Sequence, residues 1–106
     1  PLFHALRGLL ALQDAEADTA FDAMSRALAL GHPHPEREAS FHLWRGRAAD
    51  LSGRREDAQR DYRQALGRPA HAPVHRAATR GLARRFTSRD VRRFEVDMTF
   101  ADVVNP

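Results

Sequence analysis

An internal repeat limits the folds open to this chain more than any other sequence feature does. Residues 3–8 read Phe-His-Ala-Leu-Arg-Gly, and residues 41–46 read Phe-His-Leu-Trp-Arg-Gly. The same offset of 38 residues aligns Ala20 with Ala58, Met24 with Tyr62, Ala27 with Ala65 and Leu28 with Leu66. A third copy begins at residues 77–81, 35 residues after the second. Repeats of this length are typical of solenoids, in which each unit buries its apolar face against the next.

Each unit is predicted to form two helices joined by a tight turn. In the second unit, apolar residues recur at helical spacing on both sides of Gly53, which relieves the backbone at the turn. These apolar residues are Phe41, Trp44, Ala48, Leu51, Ala58, Tyr62, Ala65 and Leu66. Gly31 and Gly67 are each followed two residues later by a proline, the order expected at a helix C-terminus. The pattern therefore predicts an all-α fold.

Small residues are predicted to lie where the two helices of a unit cross, because larger side chains would push the helices apart. They are Gly8, Ala20 and Ala27 in the first unit and Gly46, Ala58 and Ala65 in the second. Met24 and Tyr62 are expected to fill the space beside them.

These motifs resemble the tetratricopeptide repeat family over about residues 2–86. The family's pattern of a small residue, two alanines, an aromatic residue and a nearby proline is matched by Gly46, Ala58, Ala65, Tyr62 and Pro69. The chain departs from the pattern where His4 and His42 replace a large aromatic residue, and Trp44 is expected to take over that packing. The resemblance implies two tetratricopeptide-like helix-turn-helix repeats plus a capping helix.

The resemblance also implies a function. In that family, the first helix of each hairpin lines a concave groove that holds an extended peptide or a helix of a partner. Carried over to this chain, the lining residues are Ala5, Leu9, Leu12, Leu43, Arg47, Asp50, Leu82 and Arg85. The leucines would offer apolar contact, and Arg47 and Arg85 would hold a partner carboxylate through forked hydrogen bonds. We therefore expect a protein–protein interaction module. The alternative is a regulatory or nucleic-acid-associated helical domain of a larger, transcription-related protein.

The C-terminal part is expected to differ in secondary structure from the two repeats. Residues 72–86 are predicted to form a lone capping helix that closes a helical domain of residues 1–88. Within the remaining tail, residues 89–106, four large apolar residues alternate with polar ones, the rhythm of an extended strand. They are Phe94, Val96, Met98 and Phe100. Three placements stay open for this strand: across the chain's own helices, against a second copy in a homodimer, or in another domain.

The charge distribution favours an acidic partner. Residues 37–93 hold fifteen arginines and six acidic residues, whereas residues 94–106 hold three acidic residues and no basic ones. We therefore hypothesise that the tail fills its own groove or that of a second copy. Nucleic-acid binding is disfavoured by the interleaved acidic residues, the absence of lysine and the absence of an identifiable recognition helix. Arg54 and Arg55, which face Glu56, Asp57 and Asp61, look more like a mixed, solvated helix face.

No pattern of catalytic or metal-ligating residues stands out. The chain has no cysteine, no His-Glu-x-x-His motif and no Gly-x-Ser-x-Gly motif. His71 and His75 are four residues apart, but Pro73 lies between them, so His71 is expected to precede the helix. We expect no enzymatic activity, no metal and no cofactor. Without a long apolar run or a secretory leader, the chain is expected to be cytoplasmic and not membrane-bound, and Pro1 suggests a piece of a longer protein.

Overall fold

A computed structural model describes His4, Arg7, residues 16–32 and residues 34–92, and this part of the chain is all-helical. The helices are α1 (Ala17–Leu30), α2 (Pro35–Leu51), α3 (Arg55–Leu66), α4 (Ala72–Ala83) and α5 (Ser88–Arg92). No strand occurs within these described ranges. The predicted all-α fold class is confirmed, while the strand predicted for residues 94–100 lies outside the described residues.

The helix ends follow the local sequence signals. Pro35 occupies the first turn of α2, where the missing N–H costs no hydrogen bond. Gly31 ends α1 with φ 77°, and its N–H donates to the carbonyls of Ala27 and Leu28. Gly53 has φ 78° in the turn between α2 and α3. Both glycines adopt the left-handed backbone that other residues rarely tolerate, so these two turns depend on glycine as the sequence predicted.

Consecutive helices pack against each other, and α2 lies at the centre of the array. Helix α1 packs on α2, α2 on α3 and α3 on α4, and α2 also contacts α4. The largest fully buried side chains are Trp44, Tyr62, Phe41, Met24 and Leu43. From Ala39 to Asp50, every residue of α2 except Arg45 is buried. Because neighbours cover this helix on several sides, several of its polar residues lie in the interior of the domain and need partners there.

The ring of Tyr62 lies between two glycines of successive repeat units. A Cβ added to Gly46 on α2 would stand 2.7 Å from Tyr62 Cε1, and one added to Gly81 on α4 would stand 2.6 Å from Cε2. Ala58 and Ala65 on α3 have no exposed surface. The small residues Gly46, Ala58, Ala65 and Gly81 are therefore buried between α2, α3 and α4, and they allow these helices to approach closely.

The third segment differs from its prediction. Helix α4 ends at Ala83 and not at residue 86, and Arg84 has an extended backbone with φ −150° and ψ 137°. In a continued helix the Phe86 N–H would donate to the Leu82 carbonyl, but here it donates to the Asp50 carboxylate, 2.9 Å away, and Arg55 donates to that carbonyl instead. A further short helix, α5, then spans the boundary that we predicted between residues 88 and 89.

Candidate protein-interaction surface

The structure does not bring the described members of the predicted groove together on one open surface. Leu43 is fully buried, Asp50 is 3% exposed and Arg47 is 6% exposed. Leu82 is half-buried and Arg85 is exposed. The other predicted residues, Ala5, Leu9, Leu12 and the tail residues Phe94, Val96, Met98 and Phe100, lie outside the described residues. Leu43 belongs to the hydrophobic core, so in this structure it has no surface for the apolar contact that we expected of it.

Asp50 is the centre of a buried hydrogen-bond cluster. Its carboxylate accepts both a bond from the Tyr62 hydroxyl at 2.7 Å and the bond from the Phe86 N–H. Nη1 of Arg55 lies 3.0 Å from each carboxylate oxygen, and Nη2 donates to the carbonyl of Leu82. Burial, together with the Asp50 charge, raises the pKa of Tyr62, so its hydroxyl stays protonated and donates. Asp50 therefore joins α2, α3 and the segment after α4 and is not presented to a partner.

Arg47 supports the same segment from another side. Its Cζ lies 4.8 Å from the centroid of the Phe86 ring, a distance typical of cation–π contact. Because so little of Arg47 is exposed, its guanidinium has little surface to offer a partner carboxylate. Together with Asp50 and Arg55, it fixes the extended stretch from Arg84 to Phe86 against the helical core.

A second buried carboxylate, Asp61, joins α3 to α2. Arg45 makes a forked contact with it, from Nε to Oδ2 at 2.9 Å and from Nη2 to Oδ1 at 2.8 Å. His42 Nδ1 lies 2.9 Å from Asp61 Oδ1. Our interpretation of Asp61 as part of a solvated face is wrong, because this residue is 3% exposed. His42 replaces an aromatic residue of the repeat, and this replacement was the sequence signal for a buried polar contact. Nothing in the sequence identified Asp61 as the partner.

The strongest exposed charge lies at the C-terminal end of the described chain. Residues 68–89 hold six arginines and no acidic residue. Five of the six are exposed and define a surface that we call the arginine ridge: Arg76, Arg80, Arg84, Arg85 and Arg89. Arg76 and Arg80 are four residues apart and so lie on one side of α4, and Arg84 is the residue that caps its C-terminal end. Among the five, only Arg85 was predicted as a binding residue.

A surface hollow of about 470 Å³ adjoins the ridge. It is lined by Arg84, Arg85, Thr87, Ser88, Arg89 and Asp90. The Thr87 N–H and hydroxyl donate to Asp90 Oδ2 at 2.8 and 3.0 Å, which closes the first turn of α5. Partial burial acts to raise the pKa of Asp90, but the hydrogen bonds from Thr87 and the charge of Arg84 outweigh it and hold that pKa below its ordinary value. The hollow is thus mainly cationic, with one ionised carboxylate fixed at its edge.

Two other kinds of feature, a metal-binding group and a membrane-spanning helix, are not found in the described ranges. No group of three His, Asp or Glu side chains is arranged there to hold a metal ion. None of the described helices combines the length and apolar composition needed to cross a bilayer. No protein-family model, curated protein sequence or solved structure matches the chain. The arginine ridge and its hollow are therefore the main physical guide to function.

Proposed function

We propose that the chain is a protein–protein interaction module built from tetratricopeptide-like hairpins, with no catalytic role. Under this proposal α2 and α3 form the second hairpin, and α4 is the capping helix. The observation that carries the proposal is the placement of Tyr62 between Gly46 and Gly81. These glycines are 35 residues apart in matching positions of successive units. Contact of this kind between units supports a stacked repeat, and stacked repeats typically present extended surfaces to other proteins.

The partner is proposed to be acidic, because the exposed charge of the described surface is predominantly arginine. Among the described members of the predicted groove, Leu82 and Arg85 keep substantial exposed area. The proposal also retains self-association: the tail, with its three acidic residues and its alternating apolar residues, is an acidic segment that a second copy could supply.

Selection of peptides from a random display library on the immobilised 106-residue chain tests the module. We expect enrichment of a shared sequence pattern and one-to-one binding of the selected peptides by calorimetry. The matched control is the Gly81→Leu variant, which forces a large side chain against the Tyr62 ring and disturbs the stack. If no pattern is enriched, or if the variant enriches the same peptides equally well, the interaction-module proposal is wrong.

Light scattering of the intact chain and of a variant lacking residues 93–106 tests self-association. If the tail joins two copies, deletion lowers the mass from that of a dimer to that of a monomer. Replacing Phe94, Val96, Met98 and Phe100 by serine should have the same effect, since the length and charge are retained while the apolar contacts are removed. The same number of chains per particle for all three proteins, together with unchanged binding of a hydrophobic dye, would exclude this part of the proposal.

The arginine ridge also favours a second candidate, a nucleic-acid-associated domain. A protein that neutralises several phosphates loses affinity steeply as salt rises, with a logarithmic slope of about −0.9 per phosphate contact on duplex DNA. Titration of a mixed-sequence DNA duplex at several salt concentrations separates the two candidates. Binding of the duplex at physiological ionic strength with a slope of about −3 or steeper would favour the second candidate.

A further inference from the structure

We infer that the arginine ridge is a docking surface for an acidic peptide segment of a partner protein. The inference rests on the proposed function and assigns it a surface different from the predicted groove. Three features carry it: the lack of intramolecular partners for three of the ridge arginines, the rigid support beneath the ridge, and its length.

The first feature is a difference in pairing between arginines. Within the described residues, the side chains of Arg76, Arg85 and Arg89 make no ion pair and no hydrogen bond. Arg84 reaches Asp90 only at 3.8 Å, and its side chain is 82% exposed. Since α4 contains no acidic residue, nothing on its own surface balances this charge. Carboxylates of another molecule would supply the partners.

The second feature is the fixed backbone under Arg84 and Arg85. The flanking residues are tied down, since Asp50 accepts the N–H of Phe86 and Arg55 donates to the carbonyl of Leu82 at 3.1 Å. The arginines therefore project from an immobilised segment, although it is not helical. A ligand that binds there orders only side chains and no backbone, which lowers the entropic cost of binding.

The third feature is the length of the ridge. Arg76 and Arg84 are eight residues apart, so they are separated by about 12 Å at roughly 1.5 Å per helical residue. An extended peptide covers this distance with about four residues at roughly 3.3 Å each. Arginine also binds carboxylates through two parallel hydrogen bonds. The ridge therefore fits a short segment with acidic side chains at about every second position.

The described surface suits a peptide better than nucleic acid. Proteins that bind single strands combine positive charge with exposed aromatic rings on which the bases stack. Among the described residues, no Phe, Tyr or Trp ring is exposed, and the exposed large apolar side chain is Leu30, at 63%. Duplex binding without an aromatic platform is one of the outcomes that the binding experiment distinguishes.

The experiment compares two triple variants with equal changes of charge. Arg76, Arg85 and Arg89 are replaced by glutamine in the ridge variant, and Arg26, Arg60 and Arg63 in the control variant. All six arginines are exposed helix or helix-flanking residues, so each variant loses three surface charges. Circular dichroism spectra first establish that both variants are folded. The probe is a fluorescein-labelled peptide of about eight residues with alternating Glu and Ala, since this length spans the ridge with a margin. A twin with Gln in place of Glu is the neutral probe.

We expect the acidic peptide to bind the parent chain and the control variant alike at physiological ionic strength. The ridge variant should bind about tenfold more weakly, because three exposed charge contacts of modest strength are lost together. The neutral twin should also bind about tenfold more weakly to the parent chain. Equal losses in both variants, equal binding of the two peptides, or no binding of the acidic peptide would overturn the inference. Tighter binding of a mixed-sequence DNA duplex than of the acidic peptide would overturn it as well.

The two proposals fail in distinguishable ways. If the display selection enriches peptides that are not acidic, or that bind the ridge variant normally, the interaction module stands and only the ridge assignment fails. If the selection enriches nothing and the acidic probe does not bind, both proposals fail.

Discussion

One arginine of α2 and one of α3 differ from two arginines of α4 and the segment after it. Arg45 and Arg55 each bind a buried carboxylate, Asp61 and Asp50 respectively. In contrast, Arg76 and Arg85 lie on the surface without a carboxylate from the described chain. The same residue type therefore has a structural role in one region and is available to other molecules in the next. Composition alone, with fifteen arginines in residues 37–93, cannot separate the two groups.

The largest expected effect comes from removing the carboxylate that the structural arginines need. Asp50→Asn places an amide against Arg55, and the Tyr62 hydroxyl and Phe86 N–H lose a charged acceptor. We expect the free energy of unfolding to fall by about 3 kcal/mol, because breaking a buried charge pair leaves the other charge uncompensated. Urea unfolding measures the change. Asp57→Asn is the control, since Asp57 pairs with Arg60 on the exposed surface and should cost less than about 0.5 kcal/mol. Equal costs for the two variants would show that Asp50 is not the joining residue.

The second-largest expected effect comes from disturbing the contact between repeat units. Gly81→Ala introduces a Cβ that would stand 2.6 Å from two atoms of the Tyr62 ring, so the ring or α4 must shift. We expect a loss of about 1–3 kcal/mol in unfolding free energy, typical of overpacking. Gly67→Ala is the matched control, because Gly67 has φ −79° and its nearest neighbour would lie at 3.5 Å. That variant should be neutral or slightly more stable. A tolerated Gly81→Ala would contradict the close packing of α4.

A smaller effect concerns the cap between Thr87 and Asp90. The pKa of Asp90 is lowered in the folded chain, so the ionised carboxylate stabilises the fold. This contribution to the free energy of unfolding is fully present above the ordinary pKa of 3.8 and is lost as the pH falls through the lower, folded value. Asp90→Asn should therefore lower the unfolding free energy by about 0.5–1 kcal/mol at neutral pH, in the range of a lost helix cap. Below the folded pKa, the difference from the parent chain should largely vanish. Urea unfolding at both pH values measures it, and a difference that is independent of pH would contradict the role of the ionised carboxylate.

The sequence predicted the features that repeat locally and missed those set by distant contacts. Gly53 and the small residues Ala58 and Ala65 follow from helical period and turn chemistry. The extended stretch after α4 is held by a bond between Phe86 and Asp50, which are 36 residues apart. No local pattern near Ala83 signals that bond.

The prediction of the groove also missed contacts between residues that are distant in sequence. It assumed that the first helix of the second unit has an open face, yet neighbours bury nearly all of α2 from Ala39 to Asp50. Buried polar residues such as His42 and Arg47 then occupy positions that a polar pattern assigns to solvent. Their burial depends on pairing with Asp61 and on stacking with Phe86, and neither partner is near in sequence.

The smallest expected effect separates the two groups of arginines directly. Arg76→Gln removes one of two like charges at an interval of four residues on α4, and such pairs destabilise a helix by a few tenths of a kcal/mol. We therefore expect unfolding free energy to stay constant or to rise by a few tenths of a kcal/mol. Arg55→Gln should lower it by about 1.5–3 kcal/mol, because Asp50 then loses its charged donor. Chemical denaturation of the two single variants gives both values on one scale. A cost above about 1 kcal/mol for Arg76→Gln would mean that the ridge holds the fold together, and its arginines would no longer be available to a partner.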